Sequence, residues 1–324
     1  MAEWTLSAAL NRALLDAMDE DPRLLIFGED VGRLGGVFRV TDGLQDKFGE
    51  GRVFDTPIAE AGIVGAAIGL ALTGWKSVVE MQFDGFSYPA FEQIVSHLAK
   101  YRNRTRGRVE LPIVIRIPSF GGIRGKEHHG ESPETYYAHT AGLKVVAPSG
   151  ALDGYRLLRF AIEDPDPVIF LEPKARYWAK EEGELGTDGP GIGEGRIVRE
   201  GDACAVFAYG AMVARCLEAA DVLDAEGVSV RIVDLRSLAP LDVELIGRCA
   251  RETGRAVVVH EAPRTLGMGA EVAARIMEEA FDHLQAPVAR VTGWDVPYPP
   301  ASLEHHYLPD AGRIAAAVRR VIAY

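Results

Sequence analysis

The stretch Phe54-Asp55-Thr56-Pro57-Ile58-Ala59-Glu60 sets one carboxylate, Glu60, at the head of a helix built from small and aliphatic residues. From Glu60 to Leu72 no second charge occurs. Apolar surroundings disfavour an ionised carboxylate and raise its pKa. The helix N-terminus favours negative charge and pulls the other way. A carboxyl held between these influences is suited to sharing a proton with a basic nitrogen. A carboxylate that only caps its own helix fits the same residues.

His128 and His129 are the next candidates. They stand in a Gly-rich loop from Phe120 to Glu134, after an expected strand over 113–117. Open α/β sheets bind ligands beyond the C-terminal ends of their strands. A histidine there can shuttle protons near neutral pH, and a solvated surface histidine fits the position too. A zinc centre would need a third ligand at helical or turn spacing, for which His139 is poorly placed. His305-His306 is expected at the surface. In Phe83-Asp84-Gly85-Phe86, an aromatic after a glycine turn can lie over a planar ligand or pack in the core.

The glycine-rich runs do not make a nucleotide enzyme. Gly189-Pro190-Gly191-Ile192-Gly193 neither follows a strand nor opens a helix, as a dinucleotide fingerprint must. Gly121-Gly122-Ile123-Arg124-Gly125-Lys126-Glu127 is one residue short of phosphate-loop spacing and has Glu where Ser or Thr belongs. Gly267-Met268-Gly269 before a helix is a weak anion site at best.

These residues must be positioned by short apolar strands alternating with helices, the pattern of parallel βαβ units buried on both faces. Strands are expected over 24–28, 77–81, 113–117 (ended by Pro118), 143–146 and 168–171. Helices are expected over 6–18, 60–72, 86–101 and 153–163. A polar, Gly-rich linker is placed at 181–198, between a first domain over 1–180 and a second over 199–324. The second domain repeats the alternation, with strands over 204–209, 228–233, 256–260 and 288–291 and helices over 213–226, 242–253 and 269–281. Gly62, Gly65, Ala66 and Gly69 share one flat helical face. Glycine costs a helix up to about 1 kcal/mol relative to alanine, so this face predicts close approach of another backbone, within the chain or between subunits. The segment is too short to span a bilayer.

With 324 residues, two domains are the natural prior. A net charge of −12 argues against nucleic acid and anionic membranes as partners. The three cysteines, Cys204, Cys216 and Cys249, form no CxxC pair and read as reduced packing residues of a cytoplasmic protein. The N-terminal residues show no signal-peptide pattern.

The motifs Phe27-Gly28-Glu29-Asp30-Val31, Gly35-Gly36-Val37-Phe38, Asp55-Thr56-Pro57-Ile58-Ala59-Glu60 and Tyr88-Pro89-Ala90-Phe91-Glu92-Gln93 occur in that order. His139-Thr140-Ala141-Gly142-Leu143-Lys144-Val145-Val146, Leu171-Glu172-Pro173-Lys174 and Val291-Thr292-Gly293-Trp294-Asp295-Val296-Pro297 follow. Through them the chain, from about Trp4 to its C-terminus, resembles the β subunit of the decarboxylase component of 2-oxo acid dehydrogenase complexes. Leu171-Glu172-Pro173-Lys174 with Ser132-Pro133-Glu134 is more similar to the branched-chain enzymes than to the pyruvate enzymes.

The resemblance implies a transketolase-like α/β fold of two domains with mainly parallel sheets. It implies thiamine diphosphate bound between this chain and an α subunit in an α2β2 heterotetramer, with magnesium on the α subunit. The Gly-Asp-Gly motif of such an α subunit is absent from this sequence. It implies that Glu60 hydrogen-bonds the aminopyrimidine and shares the proton that starts catalysis. It also implies that Glu29, Ile58 and Phe86 line the cofactor, Phe86 in a place where the family often has Tyr. His129 matches a histidine facing the reacting carbon, but Gly130 and Glu131 stand where the family has Ser and Gln. A potassium ion held by backbone carbonyls would fall at Leu111, Ile113, Val114, Ala161, Asp164 and Asp166. The acyl group would pass to a lipoylated acyltransferase core. The alternatives are a pyruvate or acetoin dehydrogenase β subunit, a non-catalytic docking subunit and, more distantly, a hydride-transferring Rossmann enzyme.

Overall fold

The computed structural model describes residues 2–126 and 128–324. Strands whose every residue is buried build its centre, among them Leu24–Gly28, Ile113–Ser119 and Val168–Pro173. A strand apolar on both faces needs cover on both, and the alternating helices supply it. The large sheet has seven strands in the spatial order Ser237–Ala239, Lys144–Val146, Val168–Pro173, Ile113–Ser119, Lys76–Glu80, Leu24–Gly28, Val53–Asp55. Every neighbouring pair is parallel except the first. A second sheet has five strands in the order Ala289–Gly293, Ala256–Pro263, Cys204–Ala208, Val230–Asp234, Arg196–Arg199. Its last pair is antiparallel and the others are parallel.

Helix packing follows the sequence pattern. Helix Leu6–Glu20 begins where the Thr5 hydroxyl accepts from the Ala8 amide at 3.2 Å. It lays Leu6, Leu10, Ala13, Leu14 and Ala17 against helix Ala151–Glu163. The two helices meet at Gly154, where a Cβ would come within 2.4 Å of Leu6 Cδ1. All three cysteines are buried and free, and burial pushes the Cys204 thiol up to about 12.

Several local expectations change. The segment over 86–101 is not one α-helix. It runs as 3₁₀ turns over Asp84–Ala90, a π-turn over Gln93–His97 and a further 3₁₀ turn over Leu98–Lys100. Pro89 has no N–H to give to an α-helical ladder, and it lies inside the first piece. Pro118 does not end its strand, which continues to Ser119. The short strands Val53–Asp55 and Ser237–Ala239 carry too few residues for a periodic signal. Ser237–Ala239 lies far along the chain yet pairs with Lys144–Val146 of the first sheet.

The 181–198 segment is held at both ends. Lys180–Gly183 pairs antiparallel with Ala2–Thr5, and Arg196–Arg199 joins the second sheet. Between them the buried Arg236 guanidinium donates to the carbonyls of Pro190 at 2.9 Å and Glu194 at 2.6 Å, and to Asp153 at 2.7 Å. The Gly-Pro run thus presents carbonyls to an arginine, not amides to a phosphate.

Helix Glu60–Leu72 buries Ile63, Val64, Ala67, Ile68 and Ala71. Its opposite face shows Gly62, Ala66 and Gly69 to solvent, and a Cβ on Gly69 would meet nothing within 4 Å. Among the described residues no backbone makes the close approach, and the face is open to a contact between subunits. Gly69→Leu should therefore leave the chain folded but lower the mass of the assembled complex in light scattering. Overpacking a tight contact costs roughly 1–3 kcal/mol. An unchanged mass would show that this face is not an interface.

Candidate active site

Four neighbouring parallel strands deliver the candidate residues to one sheet edge. In spatial order they are Ile113–Ser119, Lys76–Glu80, Leu24–Gly28 and Val53–Asp55. Glu29 follows the third, and Ile58 and Glu60 follow the fourth. Phe86 follows the second, and the loop carrying His129 follows the first. Hydrogen bonds stitch these exits together. The Thr56 amide donates to the Gly28 carbonyl at 2.9 Å. Gln82 Nε2 donates to Asp30 at 2.6 Å, tying the Glu29 turn to the turn that carries Phe86. Gly28 closes the approach, because a Cβ there would lie 2.5 Å from the Glu80 carbonyl oxygen.

Glu60 opens its helix as the first-turn acid and is 8% exposed. Glu29 is 6% exposed. Burial first, then the negative charges of Glu60 and Asp30, push the Glu29 carboxyl above its ordinary range. Two polar atoms here, Glu29 Oε1 and Thr56 Oγ1, are buried without a hydrogen-bond partner among the described residues. Buried polar atoms ordinarily have partners, so these two suit a polar ligand. Ile58 is 83% exposed beside them. Phe86 is half-buried and sits edge-on to Phe83 at 5.7 Å and to His129 at 5.4 Å. His129 also lies 4.4 Å from the Phe83 ring. The acids and the aromatic ring thus leave neighbouring strands at the same sheet edge.

Beneath this edge lies a charged layer that the sequence reading passed over. Arg116 is fully buried, with Nε and Nη2 on Glu172 at 2.6 and 2.9 Å and Nη1 on Glu80 at 2.8 Å. The Tyr177 hydroxyl also donates to Glu172. Lys174 and Asp84 form a second buried ion pair. Burial pushes the Asp84 carboxyl up and the Lys174 amine down, each opposed by its partner's charge. The signal was available, since an Arg inside Ile-Val-Ile-Arg-Ile and a Glu ending Val-Val-Glu interrupt apolar strands that have no solvent face. Glu127 lies outside the described residues.

The remaining candidates fall elsewhere. Leu111, Ile113 and Val114 adjoin the turn holding Asp164 and Asp166, where the Leu111 amide donates to the Pro165 carbonyl at 3.1 Å. Lys144 occupies the Asp164 carboxylate at 2.6 Å, so main-chain carbonyls are what that turn offers a cation. Ala161 closes helix Ala151–Glu163, and Pro165 carries no N–H to meet its carbonyl. Among the described residues no group of three or more His, Cys, Asp or Glu could hold a metal ion. His139, His305 and His306 are exposed. The glycines of Gly267-Met268-Gly269 serve packing, because a Cβ at either would meet the His260 ring at 2.6 Å.

Residues 2–179 match the transketolase pyrimidine-binding domain, and residues 193–314 match the transketolase C-terminal domain. The 3-methyl-2-oxobutanoate dehydrogenase subunit beta of Mycobacterium tuberculosis is 55% identical over 98% of this chain and 92% of its own length. The chain belongs to the transketolase-like family of 2-oxo acid dehydrogenase β subunits. The pyruvate dehydrogenase E1 component subunit beta of Leifsonia xyli is 54% identical over 98% of this chain and 94% of that one. The 2-oxoisovalerate dehydrogenase subunit beta of Pseudomonas aeruginosa is 44% identical over 99% and 96%. Among solved structures, a split-gene transketolase described as an inactive beta4 tetramer superposes with a TM-score of 0.81. It is 26% identical, over 98% of each chain. This bears out the resemblance and the two-domain, mainly parallel α/β fold.

Two further acids lie where the family's two domains meet. Glu134 accepts from the Tyr209 hydroxyl at 2.6 Å, and Glu261 accepts from the Gly121 amide at 2.8 Å. Burial pushes both carboxyls up to about 7 from an ordinary 4.5. A folded-state pKa above the unfolded one stabilises fully below the unfolded value, and that stability is lost as pH rises through the folded value. Glu134→Gln and Glu261→Gln should therefore gain thermal stability relative to the native chain as pH rises from about 4.5 to about 7. A Tm difference that stays constant across this window would show that these acids do not titrate as their burial dictates.

Proposed function

We propose that this chain is the β subunit of a branched-chain 2-oxo acid dehydrogenase decarboxylase component, and that the edge bearing Glu29, Ile58, Glu60, Phe86 and His129 is its half of the active site. The supporting observation is the pairing of unpartnered buried atoms with an outward-facing apolar residue. Among the described residues Glu29 Oε1 and Thr56 Oγ1 have no hydrogen-bond partner, and Ile58 is largely exposed. An α subunit would supply the facing wall, together with the diphosphate and magnesium contacts. The relatives' names support an α partner, since each is called a subunit beta.

The residues fit thiamine diphosphate. When bound, this cofactor supplies the nucleophilic carbon and the electron sink for decarboxylation. Glu60 presents a carboxyl at a helix head, where it would hydrogen-bond a ring nitrogen of the cofactor. Phe86 would pack on the aminopyrimidine. Glu29 would offer its unpartnered oxygen to the same group, its carboxyl held above the ordinary range by burial and by the charges of Glu60 and Asp30. His129, held against Phe83 and Phe86, would move a proton at its imidazole during acyl transfer to a lipoyl group on the acyltransferase core. The carbonyls around Leu111, Ile113, Val114, Ala161, Asp164 and Asp166 are read as a potassium site that steadies the turn behind the sheet. A cytoplasmic setting suits the three buried free thiols. Among the described residues no helix is long and apolar enough to cross a membrane.

The pyruvate reading has its own support in the Leifsonia xyli relative, at 54% identity. Reconstitution with the α subunit and comparison of 3-methyl-2-oxobutanoate with pyruvate as substrate separates the two. Higher kcat/KM for the branched substrate is expected, and a preference for pyruvate would replace the branched-chain assignment.

Glu60→Gln keeps the side chain's shape but removes the shared proton. Decarboxylation should fall by about 10²–10⁴-fold, the usual range for loss of general acid–base catalysis, while the α/β assembly keeps its mass. Near-native turnover would sink the assignment of Glu60 and favour a docking subunit.

His129→Ala should slow single-turnover acylation of the lipoyl group while leaving thiamine diphosphate affinity close to native. Collapse of affinity with normal acylation in the surviving holoenzyme would make His129 a pocket-building residue.

A further inference from the structure

The loop that carries His129 leaves one domain, and residues of the other domain hold it. Its neck is closed by the Phe120 amide, which donates to the Glu131 carbonyl at 2.9 Å. Just inside the neck stand Gly121 and Gly130, and the ring of Tyr298 is seated against both. A Cβ at Gly121 would lie 2.1 Å from the Tyr298 hydroxyl oxygen, and one at Gly130 would lie 2.3 Å from Tyr298 Cε1. Neither position has room for a side chain while that ring is present. This gives a physical reason for Gly130, where a serine was expected from the resemblance.

The Tyr298 hydroxyl donates to Glu304 Oε1 at 2.6 Å. The buried Glu304 carboxylate accepts in turn from the Gly122 amide at 3.1 Å and the Arg124 amide at 3.1 and 3.2 Å. Glu261 takes the Gly121 amide. The amides that resembled a phosphate loop are thus filled by carboxylates of the same chain. On the opposite side the buried Asp84 carboxylate is stabilised by the Glu131 amide, and Asp84 begins the turn that carries Phe86. Two carboxylates from the C-terminal domain and one from the N-terminal domain therefore hold the loop's neck.

We propose that Tyr298 and Glu304 are positioning residues for His129. They fix the neck of the loop so that the imidazole is presented beside Phe83 and Phe86. The proposal rests on the catalytic reading of His129 given above. It assigns to the C-terminal domain a part in the chemistry of the pyrimidine-binding domain. Misplacing a reacting group by about 1 Å can cost on the order of 10²-fold in rate, so loss of this clamp should be visible in turnover.

The test uses the reconstituted α/β complex with Tyr298→Phe, Glu304→Ala and the conservative Glu304→Gln, beside His129→Ala. Three quantities are measured: thiamine diphosphate affinity, the single-turnover rate of lipoyl acylation, and the rate of tryptic cleavage after Arg124 and Lys126, read by mass spectrometry. Tyr298→Phe and Glu304→Ala should slow acylation roughly ten- to a hundredfold and speed cleavage at both sites, with cofactor affinity within about twofold of native. Glu304→Gln, which keeps one accepting oxygen, should restore part of both effects. Slow acylation with unchanged cleavage would overturn the clamp while leaving His129 in its role. Faster cleavage with native acylation would overturn the positioning role. Loss of cofactor affinity in step with rate would also overturn it, by making the pair a general structural support. If His129→Ala itself acylates normally, the reading of His129 fails. The contact between loop and clamp is then decided by cleavage alone.

Discussion

A fully buried guanidinium must have its charge matched, and Arg116 is where this chain meets that demand. Its two carboxylate partners come from the strands on either side, Glu80 and Glu172. Removing one partner of such a buried set typically costs 3–5 kcal/mol, because the remaining charge is left in a low-dielectric interior. The triad therefore pins the register of three neighbouring strands at their C-terminal ends. Those ends are where the Phe86 turn and the His129 loop depart. Two residues past Glu172, Lys174 repeats the device against Asp84, at the start of the Phe86 turn. Charge pairing thus runs continuously from the sheet interior to the candidate site.

The site built on this base is open on one side. Among the described residues, Ile58 stands exposed next in the chain to the buried acid Glu60, and Glu29 Oε1 has no hydrogen-bond partner. The small-residue face of helix Glu60–Leu72 is likewise uncovered, although the helix's other face is fully packed. Glu60 belongs to this helix, so the same element bears the proposed catalytic acid and the proposed subunit contact. On those two proposed roles, a shift of the helix would move both the acid and the contact.

The two domains are joined by more than a connecting segment. Ser237–Ala239 crosses over to become an edge strand of the first sheet, and Arg236 beside it reaches Asp153 and the carbonyls of the Gly-Pro run. On the ligand side, Glu261, Tyr298 and Glu304 reach the loop after Ile113–Ser119. Contacts at both places make the C-terminal domain part of the framework that holds the first domain's loop.

The sequence by itself determined the alternation of strands and helices, the Glu60–Leu72 helix with its acid at the head, and the family. These are local properties. An apolar run, a glycine spacing or an ordered set of motifs can be read without knowing what lies opposite. It misread the 86–101 segment because aromatic and apolar spacing looked helical, while Pro89 and the buried Asp84 forced a tighter path. Tertiary structure alone decided the rest. It set Arg116 between Glu80 and Glu172, left Glu29 Oε1 unpartnered, and turned a phosphate-loop lookalike into a carboxylate-held clamp. The Gly121–Glu261 and Gly122–Glu304 contacts join residues 140 and 182 positions apart. No period or propensity carries information across such distances. Their pairing follows from burial, which obliges each desolvated amide and carboxylate to find a partner wherever the folded chain brings one.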